Sequence, residues 1–194
     1  MNARRICQVL LAVIALPAFA QSRIGEIVYL EDEVSLTRDS RTLAEVDIGT
    51  ALQNYDVLST GPAGYAEAEV NTPQAPGATL KISPNTRFYF ELNTLGGKST
   101  TTVGMLGGSL SVKVAKLSGR QQVEVATESA LMGVRGTTFD VTISPAGDIL
   151  VTSDEGQVSC IDDSGTELFA EPGTVVEKRP GELFRTVPVA VSSL

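Results

Sequence analysis

The chain has 194 residues, with 15 Lys and Arg against 23 Asp and Glu, a formal net charge of −8 and no histidine. That acidity repels nucleic acid and anionic membrane surfaces, so neither is an expected partner. Without histidine the commonest general base and the commonest transition-metal ligand are both gone.

The first twenty residues read as a secretory signal peptide. Arg4 and Arg5 form a positive n-region, residues 6–16 are a short apolar run, and Ala18, Phe19 and Ala20 make a small-x-small cleavage site. The run is too short to be retained as a membrane span. Cleavage leaves 174 residues beginning at Gln21 and moves the formal charge to −10, because two arginines leave and no acid does. That length suits one domain able to bury its own core. Cys7 departs with the signal, so Cys160 stands alone, without an internal disulfide, and its alternating setting Q-V-S-C-I predicts a small buried hydrophobe.

Residues 24–30 read as a strand, 31–33 as a turn and 34–38 as the returning strand. Residues 39–41 are a polar link. Residues 46–58 contain Gly49 and an Asn54-Tyr55-Asp56 turn. In residues 65–70, Ala66, Ala68 and Val70 alternate with Glu67 and Glu69, a period of two that marks a half-buried strand. The loop N-T-P-Q-A-P-G follows at 71–77, where two prolines end the strand. Strands are expected at 78–83 and 86–92 around Pro84 and Asn85, with Phe88 and Phe90 on one face. A loose loop is expected at 93–99, then strands at 100–106 and 109–115 separated by Gly107 and Gly108. Residues 116–120 read as a turn, and 121–126 as the strand that feeds the most informative stretch.

That stretch, 127–141, reads T-E-S-A-L-M-G-V-R-G-T-T-F-D-V. A short helical turn is expected at 128–132, ahead of Gly133. The Gly-x-Arg-Gly cluster signals close backbone approach or positive φ. The candidate loop residues are Gly133, Val134, Arg135, Gly136 and Thr137, with Phe139 as a core anchor. Two readings of Arg135 stay open: its guanidinium pins the connection through local backbone, or it is exposed and grips a ligand or partner. Turn signals follow at 145–148, 154–156, 162–165, 171–173 and 179–181, and an extended tail or edge strand from Val187. A glycine with an apolar residue two places later recurs at Gly25, Gly108, Gly156 and Gly173, without a fixed period. No helical periodicity extends over eleven residues, so the class is all-β: a single domain of short antiparallel or wrapped strands, β-helix-like or a two-sheet sandwich.

Four separated pieces together resemble the FecR domain family. They are L-Q-N-Y-D-V-L-S-T-G at 52–61, G-G-S-L-S-V-K-V at 107–114, A-L-M-G-V-R-G-T-T-F-D-V at 130–141 and I-L-V-T-S-D-E-G-Q-V-S-C-I at 149–161. The likeness runs from about Gly25 to Gly173, centred on V-R-G-T-x-F and the later E-G-x-V turn. The resemblance implies the wrapped, β-helix-like architecture. It also implies a part in passing a signal from an outer-membrane receptor towards a sigma-factor regulator. Full-length members carry a cytoplasmic regulator helix and a retained span, which this sequence does not show, so direct control of a sigma factor is not expected. The expected division is 1–20 signal peptide, 21–186 FecR-like domain and 187–194 tail.

Catalytic chemistry is missing. One mature cysteine builds no zinc site, and no nucleophile elbow, Walker loop or dinucleotide fingerprint appears. Residues 104–108, G-M-L-G-G, have the glycines of a phosphate loop but no lysine. The carboxylate pairs Asp154 and Glu155, Asp162 and Asp163, and Glu31 and Glu33 fall at turns, where acids are solvated. No enzyme, metal or cofactor is expected. The expected function is a non-catalytic exported binding module, a periplasmic adaptor or sensor whose partner is an envelope or outer-membrane protein. The alternative is a structural protein associated with cell-wall polysaccharide, for which Tyr65, Tyr89 and Phe88 would supply a flat surface.

Overall fold

The structure is a computed structural model that describes residues 23–43, 45–73, 75–95, 98–114, 123–134 and 136–188. It contains seventeen strands and, among the described residues, no helix. In chain order they are β1 (Arg23–Glu31), β2 (Val34–Arg38), β3 (Arg41–Thr42), β4 (Ala51–Gln53), β5 (Val57–Thr60), β6 (Tyr65–Val70), β7 (Ala78–Ile82), β8 (Arg87–Leu95) and β9 (Lys98–Lys113). The second half supplies β10 (Val123–Ala126), β11 (Ala130–Val134), β12 (Thr138–Ile143), β13 (Ile149–Glu155), β14 (Val158–Asp162), β15 (Glu167–Ala170), β16 (Thr174–Lys178) and β17 (Arg185–Pro188).

All seventeen belong to one hydrogen-bonded network, which divides into two sheets joined by β9. The first sheet runs β4-β1-β6-β7-β9-β12-β13-β16-β17. The second runs β3-β2-β5-β8-β9-β10-β11-β14-β15. Apart from the short β3 and β4, strand order in each sheet follows chain order. The chain therefore advances by alternating between sheets, as a wrapped coil would, yet its ladders are antiparallel except for β9 with β10. One cluster of buried side chains draws on both sheets, including Leu80, Leu110, Phe139 and Val151 from the first and Leu58, Phe88, Met132 and Val158 from the second. The sandwich and the wrap are the same object.

Each large side chain in that cluster contributes about 1.5–3 kcal/mol on burial. Phe88 and Phe90 meet edge to face, 5.1 Å between centroids at 83°, on the shared face their spacing predicts. The period-two prediction for β6 also holds, with Ala66, Ala68 and Val70 buried. Three local expectations do not. β11 begins at Ala130 with alternating burial, so residues 130–132 are strand; ladders to β10 and β14 on both flanks outweigh any helical turn. Residues 93–95 and 98–99 pair as a hairpin instead of a loose loop. Gly107 and Gly108 do not separate two strands, because β9 runs through them for 16 residues.

Gly108 explains how one strand serves two sheets. Before it, β9 pairs with β8 and β10; from it onward, β9 pairs with β12 and then β7. The residue sits at φ +91°, and a Cβ there would lie 2.4 Å from Thr86 Cα and 2.6 Å from the Asn85 carbonyl oxygen. Only glycine fits both the angle and the approach. The recurring glycine-and-apolar pairs place Ile27, Leu110 and Val158 in the core, whereas after Gly173 the buried residue is Val176.

Candidate functional site

The V-R-G-T segment carries the chain from the second sheet to the first. Gly133 lies inside β11, opposite Glu124 and Ser159, and Val134 is buried between Val123 and Val158. Arg135 lies outside the described residues. Gly136 adopts φ +80°, and the Thr137 carbonyl accepts the Val114 amide at 2.9 Å while its side chain is buried. Phe139 is fully buried, as a core anchor should be. The E-G-Q-V turn closes against this segment. Gly156, at φ +80°, has room for only a hydrogen where a Cβ would meet Thr137 Cγ2 at 2.7 Å. The Ser153 hydroxyl donates to the Gly156 carbonyl at 3.0 Å. Gly156→Ala is expected to cost about 1–3 kcal/mol through a left-handed angle imposed on a side chain, read as a lower urea midpoint with unchanged slope.

A wide concavity lies elsewhere, at the β9 crossover. It is an open groove of about 1350 Å³. Its floor is β9 from Gly104 to Ser109. Its walls are the turn after β10, at 126–129, and the turn after β12, at 142–147. The pairing registers show why space opens here. β10 leaves β9 at Gly104, and β12 joins it only at Gly108. On that flank residues 105–107 pair with no strand among the described residues. On the other flank Phe88 faces Met105 and Arg87 faces Gly107, which leaves Leu106 as the extra residue of a β-bulge. Leu106 is 55% exposed, whereas Met105 is buried. Tyr89 lies over Gly104, whose missing side chain makes room for the ring; a Cβ there would be 2.1 Å from Tyr89 Cζ.

Charge in the groove is acidic at the accessible positions. Glu128 is exposed on one wall, and Asp163 at the far end is 64% exposed. Lys178 Nζ is buried and lies 3.6 Å from Asp163 Oδ1, an ion pair at that end of the groove. Next to it Asp162 is a turn carboxylate. Its Oδ1 accepts the Ser164 hydroxyl at 2.6 Å and the amides of Thr166 and Ser164 at 2.9 and 3.0 Å. The Ser164 hydroxyl above all, with those amides, holds the Asp162 carboxyl below its ordinary value of 3.8. A depressed folded-state value stabilises the fold above that ordinary value, and the contribution is lost as pH falls through the folded-state value.

Cys160 is fully buried, and desolvation pushes its thiol from 9.0 up to about 12. The fold therefore favours the neutral thiol, a contribution present below 9.0 and lost as pH climbs towards about 12. Native protein is expected to resist a thiol-specific disulfide reagent at mildly alkaline pH and to react fully once denatured. Rapid labelling of the native state would contradict the burial.

Other candidate chemistry is dispersed. No cluster of three or more metal-ligating side chains occurs among the described residues. Of the three rings expected to form a flat surface, Phe88 is core, Tyr89 covers Gly104, and only Tyr65 stands on the outer face of the first sheet. There it meets Tyr29 edge to face at 6.0 Å. The Tyr29 phenol donates to Glu31, and the Tyr65 phenol to Glu67 at 2.7 Å. Burial first, and the Glu67 bond second, push Tyr65 up to about 12, so the phenol remains a donor. Sequence reasoning missed the groove. Its signal was the apolar pair Met105 and Leu106 set between glycines, an unusual place for two large side chains.

Comparison with known proteins agrees with this architecture. The family described as FecR protein matches residues 56–159, more than half the chain, and the chain belongs to that family. Two crystal structures of a candidate anti-sigma factor from Parabacteroides distasonis ATCC 8503, at 1.65 and 2.50 Å, share the fold, with TM-scores of 0.54 and 0.55. Each is 16% identical over 68% of this chain and 59% of that one, so the matched region spans less than two thirds of those proteins. No curated protein matches the sequence. Among the described residues no helix is long and apolar enough to cross a membrane.

Proposed function

We propose that this chain is an exported, non-catalytic adaptor or sensor in envelope signal transduction, acting by binding an envelope or outer-membrane protein. Membership of the FecR family is the observation that carries the reading. A signal-like N-terminus supports export to the periplasm or envelope. The groove supports binding, since it offers a strand flank, an exposed leucine and carboxylates. At the V-R-G-T end, Gly133, Val134, Arg135, Gly136 and Thr137 form the segment that shapes or contacts the partner site in this reading.

The test is affinity capture from detergent-treated envelope of the producing cells, using the full chain with a C-terminal tag. A discrete membrane or periplasmic protein should be retained, and the Arg135→Ala chain shows whether the V-R-G-T end takes part. Failure to retain any such protein, with sedimentation on insoluble wall material instead, would remove the adaptor reading. That outcome belongs to the structural alternative, for which the outer-face pair of exposed Tyr29 and half-buried Tyr65, with its carboxylates, is the matching feature.

A further inference from the structure

We infer that the open stretch of β9 at residues 105–107 is a docking slot for an extended, basic segment of a partner protein. The inference rests on the adaptor reading and names the surface and the partner's chemistry.

Main-chain geometry comes first. An unpaired strand flank is a template for another extended chain, and proteins normally cover such flanks. This one is interrupted on both sides by strand ends, which sets its length at three residues, about 10 Å at strand rise. At Gly107 the floor carries no side chain, and the space above it is empty within 4 Å. Leu106 is the one large apolar side chain that the bulge turns outward, so an apolar residue of the incoming segment would pack on it. At about 1350 Å³ the groove exceeds the roughly 300–1,000 Å³ of small-molecule sites, which favours a length of polypeptide.

Electrostatics gives the sign of the partner. The exposed charges of the groove are Glu128 and Asp163, and the buried Lys178 is ion-paired to Asp163 at 3.6 Å. A chain of net charge −8 also steers cationic segments towards itself. Lysine or arginine beside an apolar residue of the segment would complement the exposed Glu128 on the wall.

The probe is a fluorescent nonapeptide alternating valine with lysine, compared by anisotropy with its valine–glutamate counterpart on the full chain. The lysine peptide should bind at least tenfold more tightly. Leu106→Ser and Glu128→Lys, at unchanged melting temperature, should each weaken it at least tenfold. No binding of the lysine peptide, equal binding of both peptides, or binding that survives Leu106→Ser would overturn the docking slot. The two readings fail separately. If a defined envelope protein is still captured by Leu106→Ser, the slot is wrong and the adaptor stands; if wild type captures none, the adaptor falls.

Discussion

Gly108→Ala is expected to destabilise the fold by about 3 kcal/mol or more, combining a strained left-handed angle with overpacking against backbone. For a domain of this size that lowers the melting temperature by roughly 6–12 °C. The neighbouring Gly107→Ala supplies the control. A Cβ at Gly107 meets nothing within 4 Å, and its φ is not in the left-handed region. That variant should stay within about 0.5 kcal/mol of wild type. Thermal unfolding of the pair checks the claim that one strand passes between sheets at Gly108. Equal midpoints for the two variants would mean that the crossover tolerates a side chain and is not fixed there.

A second large effect is expected at Asp56. Its carboxylate is fully buried and accepts both arms of Arg38: Nε at 2.8 Å on Oδ1 and Nη2 at 2.7 Å on Oδ2. It also accepts the Gln53 amide at 2.7 Å, closing the turn between β4 and β5, while Arg38 Nη2 reaches the Ala51 carbonyl at 2.8 Å. Through these bonds β2 of the second sheet is tied to β4 of the first. Asp56→Ala leaves the guanidinium without its carboxylate and the turn without its acceptor, a loss of about 3–5 kcal/mol. Arg38→Ala should cost a comparable amount, because it leaves a fully buried carboxylate without its cation. The double variant should cost less than the two single losses combined, since the residues share one interaction. Chemical denaturation of the three proteins gives these values, and simple additivity would show that the pair is not coupled.

Much of this architecture was legible in the residues, for physical reasons that also set the limit. A strand such as β6 alternates cleanly because one face is core, so its bounds and buried side follow from a period of two. The FecR resemblance, built on V-R-G-T-x-F and E-G-x-V, located the place where Gly156 packs on Thr137, although sequence alone did not predict that contact. The crossover was not legible. Gly107 and Gly108 read as a break because a doublet of glycines usually ends a strand, whereas here tertiary pairing on both flanks carries β9 through. Residues 128–132 misled in the same way: a local turn signal yielded to ladders with β10 and β14. The groove arises from where β10 leaves and β12 joins a third strand, a long-range register that no local pattern encodes. Leu106 therefore looked like an ordinary strand residue.

Amide hydrogen exchange on the full chain, with and without the valine–lysine peptide, tests most directly that this protein works by binding at the crossover. The account predicts slowed exchange at residues 105–107 and in the wall at 127–129, with the V-R-G-T segment at 136–137 unchanged. Slowing confined to 136–137, or none anywhere at saturating peptide, would contradict it.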